Sequence, residues 1–264
     1  MSIVVKHRKD VDIERMEEKD GWAISEFRLP ITGESGSATT VFHSIFRPGS
    51  THAKHLHYNS DEIAVYLSGK GVVGQGTSRA SVSGGYCRLM PKGSVHFFHN
   101  ETKNSDALVL GFYLNATSVA DTGYKFCGKV NPDDLLQPRE GLNEGILVHL
   151  EDTPIVKNGL PASWRQFSVH SPIGNHNGSL NSLIHLIIPP TTSTDDFQFN
   201  NAEAIYYVDS GKGCFSDIVR SYDLIHESIA FVPKGVTHKI RNSGIKNLNL
   251  FLLLTGAGSL EEAN

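Results

Sequence analysis

Short runs of branched and aromatic residues recur along the chain, for example at residues 40–46, 63–67 and 107–113. Gly, Ser, Asn or Pro bounds these runs at close intervals, which is typical of short β-strands in a sandwich or barrel. Helical periodicity is weak. Only residues 131–136 predict a turn or two of helix, with Asn131 as the cap and Pro132 at the first helical position. The pattern predicts an all-β protein.

The sequence also repeats itself. Shifted by 142 residues, it overlays itself without a gap for about sixty positions. Residues 68–71 recur as 210–213, residues 91–93 recur as 233–235, and a histidine stands at both 96 and 238. So many coincidences at a single offset indicate a duplicated β-domain, and the period is far too long for a solenoid unit.

The repeat predicts two domains and a connector. We place the N-terminal domain at residues 1–125, the connector at 126–160 and the C-terminal domain at 161–264. The connector contains Pro132, Pro138 and Pro154 together with several glycines. It is long enough to pack on the domains rather than hang free.

Three histidines and one glutamate in the first copy stand at spacings that suit a single metal ion. His55 and His57 are two residues apart, so on a strand both side chains face the same side. Glu62 follows a short turn and can enter the same space, and His96 follows a Pro-x-Gly turn that can start a facing strand. Three imidazoles and a carboxylate on a rigid sheet predict a mononuclear metal site with open positions.

These residues lie in two longer motifs. The motifs read Gly49-x5-His55-x-His57-x4-Glu62-x6-Gly69 and Gly85-x5-Pro91-x-Gly93-x2-His96-x3-Asn100. Both resemble the signature motifs of the cupin superfamily at every specified position. The resemblance implies a bicupin, with two double-stranded β-helix (jelly-roll) barrels in one chain. It also implies that the metal ligands are His55, His57, Glu62 and His96.

The second copy departs from the metal motif. At the same offset the first two histidines become Phe197 and Phe199, and the glutamate becomes Ala204, so that only His238 remains. We therefore expect no metal ion in the second barrel. We interpret the second barrel first as a structural and dimerising domain. The alternative is that it forms a metal-free pocket that helps recognise a substrate or effector.

Three further residues are candidates for the substrate pocket. Tyr66 and Phe98 share strand parity with Glu62 and His96, so we expect them to line the cavity. Arg47 is a candidate for meeting an anionic substrate, although a surface arginine is the commoner outcome. His52 lies an odd number of residues from His55, which predicts the opposite face of the strand.

Composition and charge narrow the function classes. Acidic residues outnumber basic ones by 28 to 24, and the basic residues form no cluster beyond residues 6–9, so no nucleic-acid surface is expected. No apolar run is long enough for a membrane span, and the N-terminus lacks the apolar region of a secretory signal. The three cysteines show no C-x-x-C spacing, which disfavours a disulfide framework or a thiolate zinc site. We expect a cytoplasmic protein.

The resemblance implies a metal-dependent enzyme that acts on a small polar metabolite. Within the superfamily, such sites resemble those of iron-dependent dioxygenases and manganese-dependent oxalate enzymes. We expect one divalent transition metal ion per chain, with Fe(II) first and Mn(II), Ni(II), Co(II) or Zn(II) as alternatives. With Fe(II), O2 would be the second substrate, and Glu62 is also a candidate catalytic base.

Two other classes of function stay open. One is a non-redox metal-dependent hydrolase, lyase or isomerase, and the other is a small-molecule-binding bicupin without turnover. Because barrel edges invite pairing between cupins, we also expect a homodimer.

Overall fold

The computed structural model describes residues 2–15 and 23–264, and antiparallel β-sheet dominates both ranges. Contacts between Cα atoms divide the chain into two compact units. We call Val11–Glu34 with Ala38–Glu151 the N-terminal unit, and Met1–Asp10 with Ser35–Ser37 and Asp152–Asn264 the C-terminal unit. Within the described residues, no helix has both the length and the apolar character needed to cross a membrane.

The N-terminal unit contains two antiparallel sheets and one short helix. Its elements are β2 (Glu26–Ile31), β3 (Thr40–Phe46), β4 (Thr51–His57), β5 (Glu62–Ser68), β6 (Lys70–Gln75), β7 (Ser78–Ser83), β8 (Tyr86–Met90), β9 (His96–Asn100), β10 (Ala107–Tyr113), β11 (Tyr124–Gly128), α1 (Pro132–Leu136) and β12 (Ile146–His149). One sheet has the order β12-β8-β5-β10-β3-β2, and the other has the order β11-β4-β9-β6-β7. Alternate residues of both sheets supply a core that includes Phe42, Tyr66, Val73 and Phe98.

The C-terminal unit is also built from antiparallel strands. Its elements are β1 (Val4–His7), β13 (Ser168–Ile173), β14 (Ser182–Ile188), β15 (Glu203–Ser210), β16 (Gly213–Ser216), β17 (Ser221–Leu224), β18 (Ser228–Val232), β19 (Lys239–Asn242), β20 (Leu248–Thr255) and α2 (Leu260–Ala263). One sheet has the order β1-β18-β15-β20-β14-β13, and the other has the order β17-β16-β19. Its core contains Trp164, Phe199, Tyr206 and Phe215, all at most 2% exposed.

The boundaries of the two compact units differ from those of the domains predicted from the repeat. Strand β1 pairs with β18, with Val4 opposite Phe231, so the first residues of the chain belong to the C-terminal unit. Strands β11 and β12, which overlap or lie in the predicted connector, pair with β4 and β8 of the N-terminal unit. These three strands lie outside the duplicated stretch, so the repeat contains no information about their partners.

The predicted helix at residues 131–136 is confirmed as α1. The side chain of Asn131 accepts a hydrogen bond from the backbone N–H of Asp134 at 3.0 Å, and the Asp134 carboxylate accepts one from the backbone N–H of Asn131 at 2.9 Å. This capping box satisfies donors at the start of the helix. The all-β fold class is confirmed for the described residues, where helices are few.

Candidate metal centre

The four predicted ligands come from both sheets of the N-terminal unit. His55 and His57 lie on β4, and His96 stands opposite His55 at the start of β9 in the same sheet. Glu62 is the first residue of β5 in the other sheet. The cluster therefore lies between the two sheets, where a rigid backbone fixes each side chain.

The structure brings the four side chains together. One ligand atom from each residue lies within 4.8 Å of the others, and the residues are only 1–5% exposed. The Oε2 atom of Glu62 is 3.1 Å from Nε2 of His57 and 3.2 Å from Nε2 of His96. Among the described residues, this is the group of metal-binding side chains close enough to share one ion.

Backbone hydrogen bonds fix the tautomers of two of these histidines. The Nδ1–H of His55 donates to the carbonyl oxygen of Ala53 at 2.7 Å, and the Nδ1–H of His96 donates to that of Ser94 at 2.9 Å. A carbonyl oxygen only accepts, so the proton must lie on Nδ1 in a neutral ring. Nε2 then presents its lone pair to the cluster, as a metal-binding histidine requires.

The protonation states also fit a metal site. Burial lowers the pKa of His55 and of His96; neighbouring histidines lower that of His55 further, whereas Glu62 partly opposes the decrease at His96. Burial by itself would raise the pKa of Glu62, but its close contacts with His57 and His96 outweigh burial and hold the pKa well below its usual range. Neutral imidazoles with an ionised carboxylate are the forms that bind a divalent cation. Because its pKa is low, Glu62 is a weak base that stays ionised for ligation; its role as a catalytic base stays a prediction.

A small cavity lies beside the cluster. Its volume is about 30 Å³, and both Tyr66 and Phe98 line it. Arg47 is exposed and is not among the lining residues. The lining also includes Arg88, a residue that the sequence analysis did not select.

His52 does not follow the strand parity expected from the sequence. The pairing of β4 with β9 shifts register between His52 and His55, and the His52 ring stacks on that of His55 with centroids 3.8 Å apart. A bulge adds a residue and redirects side chains, so counting odd and even positions fails across it. Burial lowers the pKa of His52 to about 3, so this ring is a neutral wall of the cavity.

Two tyrosines near the cluster were also missed. Tyr113 is fully buried on β10 opposite Glu62, and its ring centroid lies 4.9 Å from that of His57. Tyr124 of β11 stacks on His55 at 5.2 Å. Tyr113 could have been selected had the β5–β10 pairing been known, but sequence spacing alone does not reveal which strands pair.

The equivalent region of the C-terminal unit is filled with aromatic side chains. The ring of Phe197 lies 4.2 Å from that of His238, and Tyr206 donates its hydroxyl proton to Nε2 of His238 at 2.8 Å. Trp164 is fully buried and packs edge-on against Phe197 and Phe199. A single histidine surrounded by such rings offers too few ligands for a metal ion.

One family model matches part of the N-terminal unit. Residues 17–134 match the family model described as Cupin. This part of the chain is therefore similar to cupins. A search of curated proteins finds no match.

Several solved structures also resemble the chain in fold. A formate complex of oxalate decarboxylase from Lactobacillus farciminis is 13% identical, covers 98% of this chain and 87% of its own, and has a TM-score of 0.74. Vicilin from Corylus avellana (hazelnut) is 11% identical, with coverage of 96% and 85% and a TM-score of 0.69. Oxalate decarboxylase from Bacillus subtilis, a protein with Mn(II) centres, is 14% identical, with coverage of 97% and 77% and a TM-score of 0.71. At these identities the similarity shows the fold alone, an all-β jelly roll.

Proposed function

We propose that the N-terminal unit is a metal-dependent cupin enzyme that acts on a small polar metabolite. The observation that carries the proposal is the cluster of His55, His57, Glu62 and His96, whose ligand atoms lie within 4.8 Å of one another. Four buried ionisable groups without a cation would be costly, whereas a divalent ion would use all four.

Each group in the site has a defined task in this proposal. When bound, a divalent ion would act as a Lewis acid and orient an oxygen-bearing substrate. The backbone acceptors of Ala53 and Ser94 hold His55 and His96 in the ligating tautomer. Phe98 and Tyr66 form part of the cavity wall and limit the access of water to the substrate.

The metal and the reaction are finer parts of the proposal. A mixed imidazole and carboxylate site suits Fe(II), with O2 as co-substrate, and this oxygenase is our first candidate. The Mn(II) centres of the fold relative from Bacillus subtilis support Mn(II) and a non-redox lyase as the second. A small-molecule-binding protein without turnover is the outcome if neither metal supports a reaction.

We also propose that the chain is a bicupin whose second barrel carries no metal ion. The offset of 142 residues and the two antiparallel sheets of each unit support this arrangement. The aromatic rings of Phe197 and Phe199 replace two of the ligands in the second copy. The homodimer and the cytoplasmic location stay predictions.

Turnover by protein loaded with a known metal tests the enzyme proposal. The protein is purified without oxygen, loaded with Fe(II) or Mn(II), and incubated with a panel of small hydroxy and keto acids while NMR and an oxygen electrode follow the reaction. We expect turnover that His96→Ala abolishes and that the matched variant His238→Ala retains. Oxygen uptake would identify the oxygenase, and product without oxygen uptake would identify the lyase class. No turnover with either metal would contradict an enzyme acting on this class of metabolite.

A further inference from the structure

A cavity of about 400 Å³ lies in the C-terminal unit, next to His238. Its wall includes Asp196, Val236 and the tip of the hairpin between β16 and β17, which is formed by Asp217, Ile218 and Val219. Ile218 is 97% exposed and Val219 is 81% exposed. A concave site of this volume, with large apolar side chains exposed on its wall, is typical of a binding site.

The charge of this cavity is negative. Asp196 and Asp217 line it, and no lysine or arginine of the described residues does. Neither carboxylate forms an ion pair with a described residue. The backbone N–H groups of Val219 and Arg220 donate to Oδ1 of Asp217 at 2.7 and 2.6 Å and lower the pKa of its carboxyl group, so this residue is ionised at neutral pH.

His238 does not offset these charges. Burial lowers its pKa to about 4, so the ring is neutral at pH 7. Its Nδ1–H donates to the carbonyl oxygen of Val236 at 2.9 Å, and its Nε2 accepts the hydroxyl proton of Tyr206 at 2.8 Å. The cavity therefore presents carboxylates and apolar side chains, and the group that complements them is a cation beside an apolar surface.

The repeat identifies the same face in the N-terminal unit. At the offset of 142 residues, the register of β6 with β7 recurs in β16 with β17, and that of β6 with β9 recurs in β16 with β19. A bridge between residues 197 and 238 likewise takes the place of the pairing between residues 55 and 96. Positions in the two units therefore correspond directly, and Lys54, Gln75 and Ser94 become Asp196, Asp217 and Val236.

In the N-terminal unit a segment of the same chain covers this face. Asp134 pairs with Lys54 at 2.8 Å and with Arg79 at 2.9 Å. Ten residues further along the chain, the carboxylate of Glu144 accepts a hydrogen bond from the hydroxyl of Ser94 at 2.9 Å. The cover is thus a stretch of polypeptide that brings acidic side chains to a face with two basic residues.

The C-terminal unit keeps this face and reverses its charge. Asp196 stands in the place of Lys54, and Ser221 stands in the place of Arg79. Among the described residues of this unit, none forms an ion pair with Asp196, and the face borders the cavity instead. An acidic segment would be repelled here, whereas a basic segment would make the ion pair that Asp134 makes in the N-terminal unit.

We infer that this face of the C-terminal unit docks a basic polypeptide segment of a partner protein. A lysine or arginine of that segment pairs with Asp196 and Asp217, and an apolar side chain covers Ile218 and Val219. The N-terminal unit favours a polypeptide as the occupant, because a polypeptide covers the same positions there. The inference goes beyond the proposed function and does not depend on the metal centre.

Binding of two synthetic peptides to the full chain tests the inference. The natural peptide copies residues 131–145, which include the covering segment, and the basic peptide carries Asp133→Lys, Asp134→Lys and Glu144→Leu. Fluorescence anisotropy of the labelled peptides gives both dissociation constants at low and at high salt. We expect the basic peptide to bind at least about tenfold more tightly than the natural one, and we expect this preference to shrink as the salt concentration rises.

Substitutions in the chain locate the binding. Asp196→Asn combined with Asp217→Asn removes both charges but keeps an oxygen for the N–H groups of the hairpin tip, so affinity for the basic peptide should fall at least about tenfold. Asp195→Asn removes an exposed carboxylate that does not line the cavity, and its affinity should stay within about twofold of wild type. Asp196→Lys introduces the residue of the N-terminal unit and should shift the preference towards the natural peptide.

Several outcomes would overturn the inference. They are a basic peptide that does not bind, a natural peptide that binds wild type equally well, and wild-type affinity in the double asparagine variant. A wild-type dimer that the double variant loses in sedimentation would show that the occupant is a second copy of this chain. Hexylammonium that binds as tightly as the basic peptide would show a small-molecule site instead. All of these outcomes leave the metal proposal intact, because none involves its four ligands.

Discussion

The same strand positions carry metal-binding side chains in one unit and apolar side chains in the other. In the N-terminal unit, His55, His57 and Glu62 converge within hydrogen-bonding or ligating distance between the two sheets. In the C-terminal unit, Phe197 and Phe199 occupy the positions of the two histidines, and the surviving His238 is held by the hydroxyl of Tyr206.

The difference shows two ways to fill the centre of one fold. Apolar rings stabilise a core by burial alone, because each removes a large apolar surface from water. A polar cluster stabilises nothing until its charges are compensated, so it is retained for what it binds. The C-terminal unit therefore resembles an ordinary core, and the N-terminal unit resembles a site.

The largest expected effect is a loss of stability when the aromatic core of the C-terminal unit is truncated. Trp164→Ala should lower the free energy of unfolding by about 3–5 kcal/mol, because a fully buried indole leaves a cavity between Phe197 and Phe199. Urea denaturation measures the loss. A change below about 1 kcal/mol would show that this core does not depend on aromatic packing.

The second effect is a pH dependence specific to His238. Burial lowers the pKa of His238 to about 4, compared with about 6.5 in an unfolded chain. Between these two pH values His238 is protonated in the unfolded chain but not in the folded chain. The free energy of unfolding therefore falls as the pH drops from 6.5 towards 4. The whole contribution amounts to about 3 kcal/mol. We expect this pH-dependent loss of stability to be absent from His238→Gln when urea midpoints are measured between pH 7.5 and 4.5. Parallel plots of urea midpoint against pH for wild type and His238→Gln would refute the prediction.

The third effect is metal-dependent stabilisation of the N-terminal unit. At a hundredfold excess over its dissociation constant, a metal that binds only the folded chain should add about 2.7 kcal/mol to the free energy of unfolding. The triple variant His55→Phe, His57→Phe and Glu62→Ala, which copies the C-terminal unit, should show no such gain. A gain that survives the triple substitution would locate the metal elsewhere.

The smallest expected effect concerns two salt bridges in the N-terminal unit. Asp134 of α1 pairs with Lys54 at 2.8 Å and with Arg79 at 2.9 Å. Burial would raise its pKa, but hydrogen bonds from Asn131 and Lys54 outweigh burial and lower it. We expect Asp134→Asn to cost about 1 kcal/mol at neutral pH, a difference that shrinks as pH falls through the lowered pKa and the wild-type carboxylate becomes protonated. Urea midpoints of wild type and Asp134→Asn at pH 7 and pH 3 test this prediction. An equal difference between the two proteins at both pH values would show that the ion pairs do not contribute to stability.

The sequence predicts those features that depend on local spacing. The period of two on a strand places His55 beside His57, and the cap at Asn131 marks the start of α1. The repeat extends these predictions to the second copy, where it anticipates the aromatic replacements. Such features need no knowledge of which strands pair.

Features that depend on pairing between distant strands were not accessible from spacing. The bulge that turns His52 onto His55 arises between β4 and β9, and Arg88 enters the cavity because β8 pairs with β5 opposite Ala64. Strand β1 joins the C-terminal unit through β18, more than two hundred residues away. The residue pattern of β1 itself does not predict that β18 is its partner.

The most direct test of the contrast between the two units is the metal content of protein purified without oxygen. Elemental analysis is made on wild type, on His96→Ala, and on His238→Ala, which changes the same position of the repeat. We predict one equivalent per chain in wild type, none in His96→Ala and one in His238→Ala. Two equivalents in wild type, or loss of metal in His238→Ala but not in His96→Ala, would contradict the account.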